Sequence, residues 1–471
     1  MTISPCTINT FVDYKYLHQL LLEIQENCLI HHHSKIVSIP VETPLIDPLL
    51  VLNKFTHSHS INFYFENRDK GEIIVGVDTI DKLQISGKNR FTQAEAFINN
   101  CLQNIITLPH CDHLSSLPRF FCSFSFFDQY QKSDYPFPPA TVFLPVWQIS
   151  VKNNRCLLTM NVVINCHANI TRILEDLQRH LQIVTSLQNQ TIKIDNFSNK
   201  IYHIITKNTN KFPTSVLSAL EIIHTNYIRK IVLADILDVS CHHDFSLVQS
   251  LHNLRQLHPN CYIFSTSNGQ GQNFIGASPE RLISIHKQQL ITDALAGSAP
   301  RGKTAREDAE KANILLNSHK EKHEHKLVLD FITQHLSQLG LIPQVLTPRL
   351  RQLANIQHLW TPINAVVPSH IHPLQIVDQL HPTPAVAGEN REIACAEIPN
   401  YESFERGLYA GPLGWVDSEG NCEFIVGIRS ALIDGDRARL YAGAGIVAGS
   451  DPEKEFAEVQ LKLQALLKAL V

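Results

Sequence analysis

Residues 318–330 read SHKEKHEHKLVLD, placing three histidines and two glutamates within positions 319–326. On a helix, His319 and His323 are four apart and share one face, the spacing of a zinc-binding pair. Lys320 stands where the HExxH pattern needs glutamate, and Lys320, Lys322 and Lys326 repel a cation. Glu324 precedes the apolar run LVLDFI, which must turn inward, and a carboxylate at such a boundary can hold Mg²⁺, a hard ion that takes oxygen ligands. It needs a partner, and the closing helix offers Glu455 and Glu458, three apart on one face. A solvated polar helix face accounts for the same residues without any metal. Spacing alone does not join Glu324 to Glu458, 134 positions further on.

The rest of the chain sets what could position these groups. With 471 residues, 44% hydrophobic and 18% charged, there is ample apolar material for a packed core and no signature of disorder. Forty basic against 44 acidic side chains leave a formal charge of −4, which argues against a nucleic acid partner. The 11 cysteines are scattered without a CxxC pair, as expected of reduced thiols in a cytoplasmic compartment, most of them buried. The first thirty residues mix acids with apolar residues and lack a basic lead, so neither signal peptide, transit peptide nor membrane anchor is expected.

Leu17, Leu20, Leu21, Ile24 and Leu29 recur at helical spacing and predict an amphipathic helix over 15–30. INFYFENRDKGEIIVGVD predicts two strands about a polar turn, and RFFCSFSFF followed by PATVFLPVWQISV predicts strand, proline-rich break, strand. Residues 165–200 turn polar and helical. The character changes near 206, so the chain divides into 1–205 and a denser region, 206–471, of short strands, glycine turns and helices. Residues 411–447 carry two hairpin signals and are expected to form a three-stranded antiparallel meander. A helix over 453–470 follows, with Phe456, Val459, Leu463, Leu466, Leu467 and Leu470 in one stripe.

Nine segments then occur in order: KIVLA (230–234), FIGASPERL (274–282), LAGSAPRG (295–302), KHEHKLV (322–328), QHLWTP (357–362), HPTPAVAG (381–388), LYAGPLGW (408–415), FIVGIRSA (424–431) and YAGAGIV (441–447). Together they resemble the chorismate-utilising enzyme family, and within it the isochorismate synthases that feed menaquinone, phylloquinone and siderophore pathways. The resemblance covers 206–471 and, more loosely, 60–150. It implies an α/β (α+β) fold in which two β-sheets pack as a sandwich with helices outside. It also implies Mg²⁺ as cofactor and chorismate as small-molecule substrate.

The same resemblance assigns roles. Glu324 and Glu458 match the Mg²⁺ ligands, with Glu455 one turn away in support and the histidines around Glu324 as bystanders. The ion would hold the ring carboxylate of the substrate. Lys230 matches the general base that activates water; it lies in NYIRKIVLADILDV, apolar on both faces and so a buried strand, where loss of water favours the neutral amine. Read without the family, it is a strand-end lysine with its head in water. Glu280 matches the general acid, a role for which burial should hold its proton; otherwise it pairs with Arg281 at the surface. Arg429 matches the cation for the enolpyruvyl carboxylate, assisted by backbone N–H groups of Gly443, Ala444 and Gly445. Gly297 and Ser298 match a substrate-contacting Gly-Thr, His358 a histidine near the ring or else a core residue, and Tyr409 a substrate contact. Asp235 stands where the family commonly has arginine, and strand alternation turns it away from Lys230.

Relatives that add ammonia usually carry glutamine at the position of Lys230, and some carry lysine at that of Ala296, so both fit less well. A salicylate synthase, which eliminates pyruvate after forming isochorismate, remains the principal alternative. A catalytically inactive binding protein would have lost one of Lys230, Glu280, Glu324 and Glu458, and all four are present.

Overall fold

The computed structural model of the chain describes residues 13–470 except 57–59, 109–115, 131–134, 193–201, 206–210, 226 and 354–355. Two large sheets form its centre. In the first, of twelve strands, the order is Tyr202–Ile204, Lys230–Cys241, Arg437–Val447, Ser430–Asp434, Asn273–Ser278, Tyr262–Ser267, Asn62–Asn67, Glu72–Val77, Trp147–Lys152, Arg155–Ile164, Lys35–Thr43 and Ile105–Thr107. In the second, of ten, the path runs Gln344–Val345, Ile356–Val366, Gln289–Pro300, Arg281–His286, Cys422–Val426, Pro412–Asp417, Arg119–Phe124, Ala140–Leu144 and Asp81–Ile85, with Arg349–Gln352 also paired to Ile356–Val366. Pairing is antiparallel apart from Lys35–Thr43 with Ile105–Thr107.

The sheets face each other through apolar side chains: the ring of Phe63 in one lies 5.0 Å from that of Phe121 in the other, and both are fully buried. Helices cover the outside. Pro452–Leu470 packs on strand Arg437–Val447, and His319–Gln338 packs on strand Gln289–Pro300. The expected sandwich with external helices is therefore the fold. Both sheets take strands from before and after residue 206. Apart from the edge strand Tyr202–Ile204, they lie in contiguous blocks that meet at Tyr262–Ser267 with Asn62–Asn67 in the first sheet and at Pro412–Asp417 with Arg119–Phe124 in the second; 206–210 themselves lie outside the described residues.

Two local expectations need correction. PATVFLPVWQISV is two strands in different sheets, Ala140–Leu144 and Trp147–Lys152, because Pro145 has no N–H to continue a ladder and the chain crosses over there. Residues 411–447 are likewise two hairpins, not one meander. Pro412–Asp417 with Cys422–Val426 belongs to the second sheet, and Ser430–Asp434 with Arg437–Val447 to the first. The changeover is Gly427–Arg429, where Arg429 adopts a left-handed φ of 51°.

The two helices that carry the candidate metal ligands begin on side-chain caps. Ser318 accepts from Glu321 N–H to start His319–Gln338 (3.3 Å), and Asp451 accepts from Glu453 and Lys454 N–H groups to start the last helix (3.0 and 3.2 Å). The nine described cysteines are free and seven are buried, as expected of small apolar side chains. No helix among the described residues is long and apolar enough to cross a membrane.

Candidate active site

A cleft of about 150 Å³ opens where the two sheets and the two capped helices meet, and twelve of the thirteen residues singled out above line it. The thirteenth, Lys230, sits just behind its wall. As the first residue of its strand, Lys230 pairs with Val447, and its side chain is fully buried. Its Nζ donates to Glu324 Oε1 at 2.7 Å. The reading of Lys230 as a solvated strand-end lysine is thus overturned, because its stem and head are both enclosed. Diagonally across the ladder, opposite Val232, Gly445 makes room: a Cβ there would stand 3.0 Å from Lys230 Cε and 3.2 Å from Glu324 Oε1. Gly443 does the same for Tyr409, whose hydroxyl would lie 2.8 Å from such a Cβ.

One side of the cleft is carboxylate and lysine. Glu321 and Glu324 come from one helix and Glu455 and Glu458 from the other, and each of the two pairs is three apart on one face. Lys320 reaches Glu455 at 3.6 Å, and Lys462 reaches Glu458 at 2.8 Å and Gly443 O at 2.9 Å. Burial, then the negative charge of Glu324, pushes the Glu321 carboxyl up. Burial also pushes Glu455 up, whereas Lys462 holds Glu458 down. Four hard-oxygen side chains that repel one another are a donor set that suits Mg²⁺. As arranged they turn to lysines, and among the described residues no three His, Cys, Asp or Glu side chains converge as an assembled metal-ligand set.

Glu280, 6% exposed, lines the same cleft just before strand Arg281–His286. Burial pushes its carboxyl to about 8; Lys230 pulls down and Asp293 pushes up. Arg281 does not neutralise it, since its guanidinium donates to Asp293 at 2.8 Å. Arg429 projects from the crossover between sheets. Its left-handed backbone, strained for a residue with a Cβ, is held by Ala277 N–H donating to Arg429 O (3.1 Å). Among the described residues the Arg429 guanidinium has no carboxylate within ion-pair distance, and Cys261 Sγ lies at 4.0 Å.

Strand Gln289–Pro300 bulges between Ala296 and Ser298, and Gly297 takes a φ of 78° there. The bulge turns Ser298 N–H to Glu321 Oε2 (2.9 Å) and Ser298 Oγ to His358 Nδ1 (3.0 Å). His358 Nε2 has no partner among the described residues, and burial beside Arg429 keeps the ring well below its ordinary range, hence neutral. Tyr409 stacks on Tyr441, ring centroids 5.3 Å apart, and burial pushes its hydroxyl up.

Of the histidines around Glu324, His319 and His323 are exposed, but His325 is no bystander. It is buried between Ala296 O (3.3 Å) and Thr361 Oγ1 (2.7 Å), tying the helix to the second sheet one residue after Glu324. Glu321, Lys320 and Lys462 were missed as site residues. The signal was present for two of them: Glu321 precedes Glu324 by three and Lys462 follows Glu458 by four, so both share the ligands' helix faces.

Comparison with known proteins identifies the family and the fold. A family model described as chorismate binding enzyme matches residues 23–471. The salicylate biosynthesis isochorismate synthase of Pseudomonas aeruginosa is 43% identical over 223 residues, covering 47% of each chain. Isochorismate synthase MenF of Bacillus subtilis is 29% identical over 460 residues, 93% of this chain and 94% of that protein. Among solved structures, the menaquinone-specific isochorismate synthase MenF of Escherichia coli superposes with a TM-score of 0.76 at 25% identity, over 96% of this chain and all of that one. Anthranilate synthase component I of Streptococcus pneumoniae shares the fold, with a TM-score of 0.67 at 18% identity over 89% of this chain and 97% of that one.

Proposed function

Because this chain belongs to the chorismate binding enzyme family, we propose that it is an isochorismate synthase, converting chorismate to isochorismate by adding water at ring C2 as the C4 hydroxyl leaves. The observation that carries the reading is the pairing of a buried amine, Lys230, with a carboxyl raised to about 8, Glu280, at one cleft. Water addition with loss of hydroxide needs a base on one side and a proton donor on the other, and these two groups have the required chemistry. Lys230 takes the proton of the attacking water, its Nζ held by Glu324 Oε1 at 2.7 Å. Glu280 gives its proton to the departing C4 oxygen. The guanidinium of Arg429 receives the enolpyruvyl carboxylate, and Tyr409 and the Gly297–Ser298 bulge orient the ring.

The four glutamates fit Mg²⁺ by donor type, with Glu324 and Glu458 as ligands and Glu455 in support. When bound, the ion supplies positive charge for the ring carboxylate. Removing metal with EDTA is expected to abolish turnover, and excess Mg²⁺ to restore it. Glu324→Ala is expected to weaken Mg²⁺ binding, read by isothermal titration calorimetry, by about tenfold or more. Unchanged activity in EDTA would remove the ion from the reading.

Product identity tests the whole proposal. Purified protein with chorismate and Mg²⁺ should give isochorismate in equilibrium with chorismate and no pyruvate, by chromatography with mass detection. Salicylate with pyruvate would make it a salicylate synthase instead. The isochorismate would supply a quinone or siderophore route inside the cytoplasm.

A further inference from the structure

The strand bearing Lys230 is paired along one side with Arg437–Val447, but its other neighbour, Tyr202–Ile204, reaches only Val239–Cys241. Between Lys230 and Ala234 that side faces no strand among the described residues, and buried backbone groups there need other partners. Part of the gap is closed by chain from the HPTPAVAG segment: Val232 N–H donates to Ala387 O (2.8 Å) and Glu389 N–H to Lys230 O (3.0 Å). Beyond that point two side chains take over. Ala234 N–H donates to Glu402 Oε1 (2.7 Å), and Arg406 Nη2 donates to Val232 O (2.7 Å).

Glu402 and Arg406, one helical turn apart in sequence, bind each other through two hydrogen bonds of 2.8 and 2.6 Å, with side chains 3% and 1% exposed. Arg406 Nη1 also donates to Val386 O (2.9 Å), and its guanidinium lies 4.3 Å over Phe126 and 5.9 Å from the Tyr409 ring. A buried ion pair is weak as a stability device, because desolvation offsets its attraction. What two apolar side chains could not do is accept from Ala234 and donate to Val232 and Val386.

We infer that the Glu402–Arg406 pair is a positioning device for the reaction: two side chains stand in for the missing strand, fix the height of Lys230 in the cleft, and hold Tyr409 and the Val386 wall to the same guanidinium. The inference rests on Lys230 being the base.

Arg406→Lys keeps the charge but cannot span Val232, Val386 and both oxygens of Glu402. The expected result is a fall in kcat of roughly 10- to 100-fold per folded molecule, with KM for chorismate within about threefold. Glu402→Gln, which keeps an acceptor for Ala234, carries the test should Arg406→Lys not fold, and about a tenfold fall in kcat is expected. In a Lys230→Met background either change should lower the residual rate by less than about threefold, since the effect through Lys230 is gone and only the hold on Tyr409 and the Val386 wall is left to lose. Full kcat in the folded fraction of either variant, with loss confined to melting temperature or yield, would make the pair structural only and overturn the inference. A rise in KM with kcat unchanged would also overturn it. Wild-type turnover is the control: if it is absent the functional reading falls and this one with it, whereas normal wild-type turnover beside unaltered variants sinks this inference alone.

Discussion

Lys230→Met is expected to lower kcat by about a thousandfold, while the protein folds and binds chorismate with KM changed by less than about fivefold. The side chain is fully buried, and methionine fills much the same volume without an amine, so packing behind the cleft wall is retained. Among the described residues the polar partner lost is Glu324, which is 15% exposed at its side chain and lines the cleft, so water can take the place of Nζ. An effect on kcat without one on KM is the pattern of a group that acts only in the transition state. Circular dichroism and melting temperature beside the rate measurement separate it from unfolding. Turnover within threefold of wild type would remove Lys230 as the base.

How far the sequence discloses this site depends on how local each signal is. The helices over 15–30 and 453–470 follow from periodicity, because each buries one continuous face, whereas the two strands of INFYFENRDKGEIIVGVD, buried on both faces, follow from short apolar runs about a polar turn. Which sheet a strand enters is not local. Pro145 and the Gly427–Arg429 turn switch the chain between sheets through backbone geometry, so both stretches read as continuous when they are not. Among site residues, Glu324, Glu455 and Glu458 are visible as helical faces, but their meeting depends on two helices packed on different sheets. Glu402 and Arg406 gave no functional signal: an i,i+4 glutamate and arginine reads as an exposed helical ion pair, and only the gap beside the Lys230 strand gives it work. The HPTPAVAG segment, recognisable as a motif, has its physical role for the same reason.

Glu280→Gln should move activity and stability in opposite directions. The glutamine is nearly isosteric and cannot donate an acidic proton, so kcat is expected to fall by about 10²- to 10⁴-fold. In the wild type, the alkaline limb of the activity profile should drop tenfold per unit above about pH 8, where Glu280 loses its proton, since burial places the carboxyl at about 8. Stability follows from the same shift. The folded-state value lies above the ordinary value of 4.5, so between the two the folded protein holds a proton that the unfolded chain releases. Stability therefore falls as pH rises from about 4.5 and levels off above 8, and the cost at pH 7 is about 3 kcal/mol. Glutamine carries no such cost. The variant should melt a few degrees above wild type at pH 8 and alongside it at pH 5, measured by calorimetry at both values. A residue under selection for packing would not be kept as a carboxylate in that place; one that must deliver a proton near neutrality would. Equal melting curves at pH 8, or retained turnover in the variant, would deny Glu280 the part of the acid.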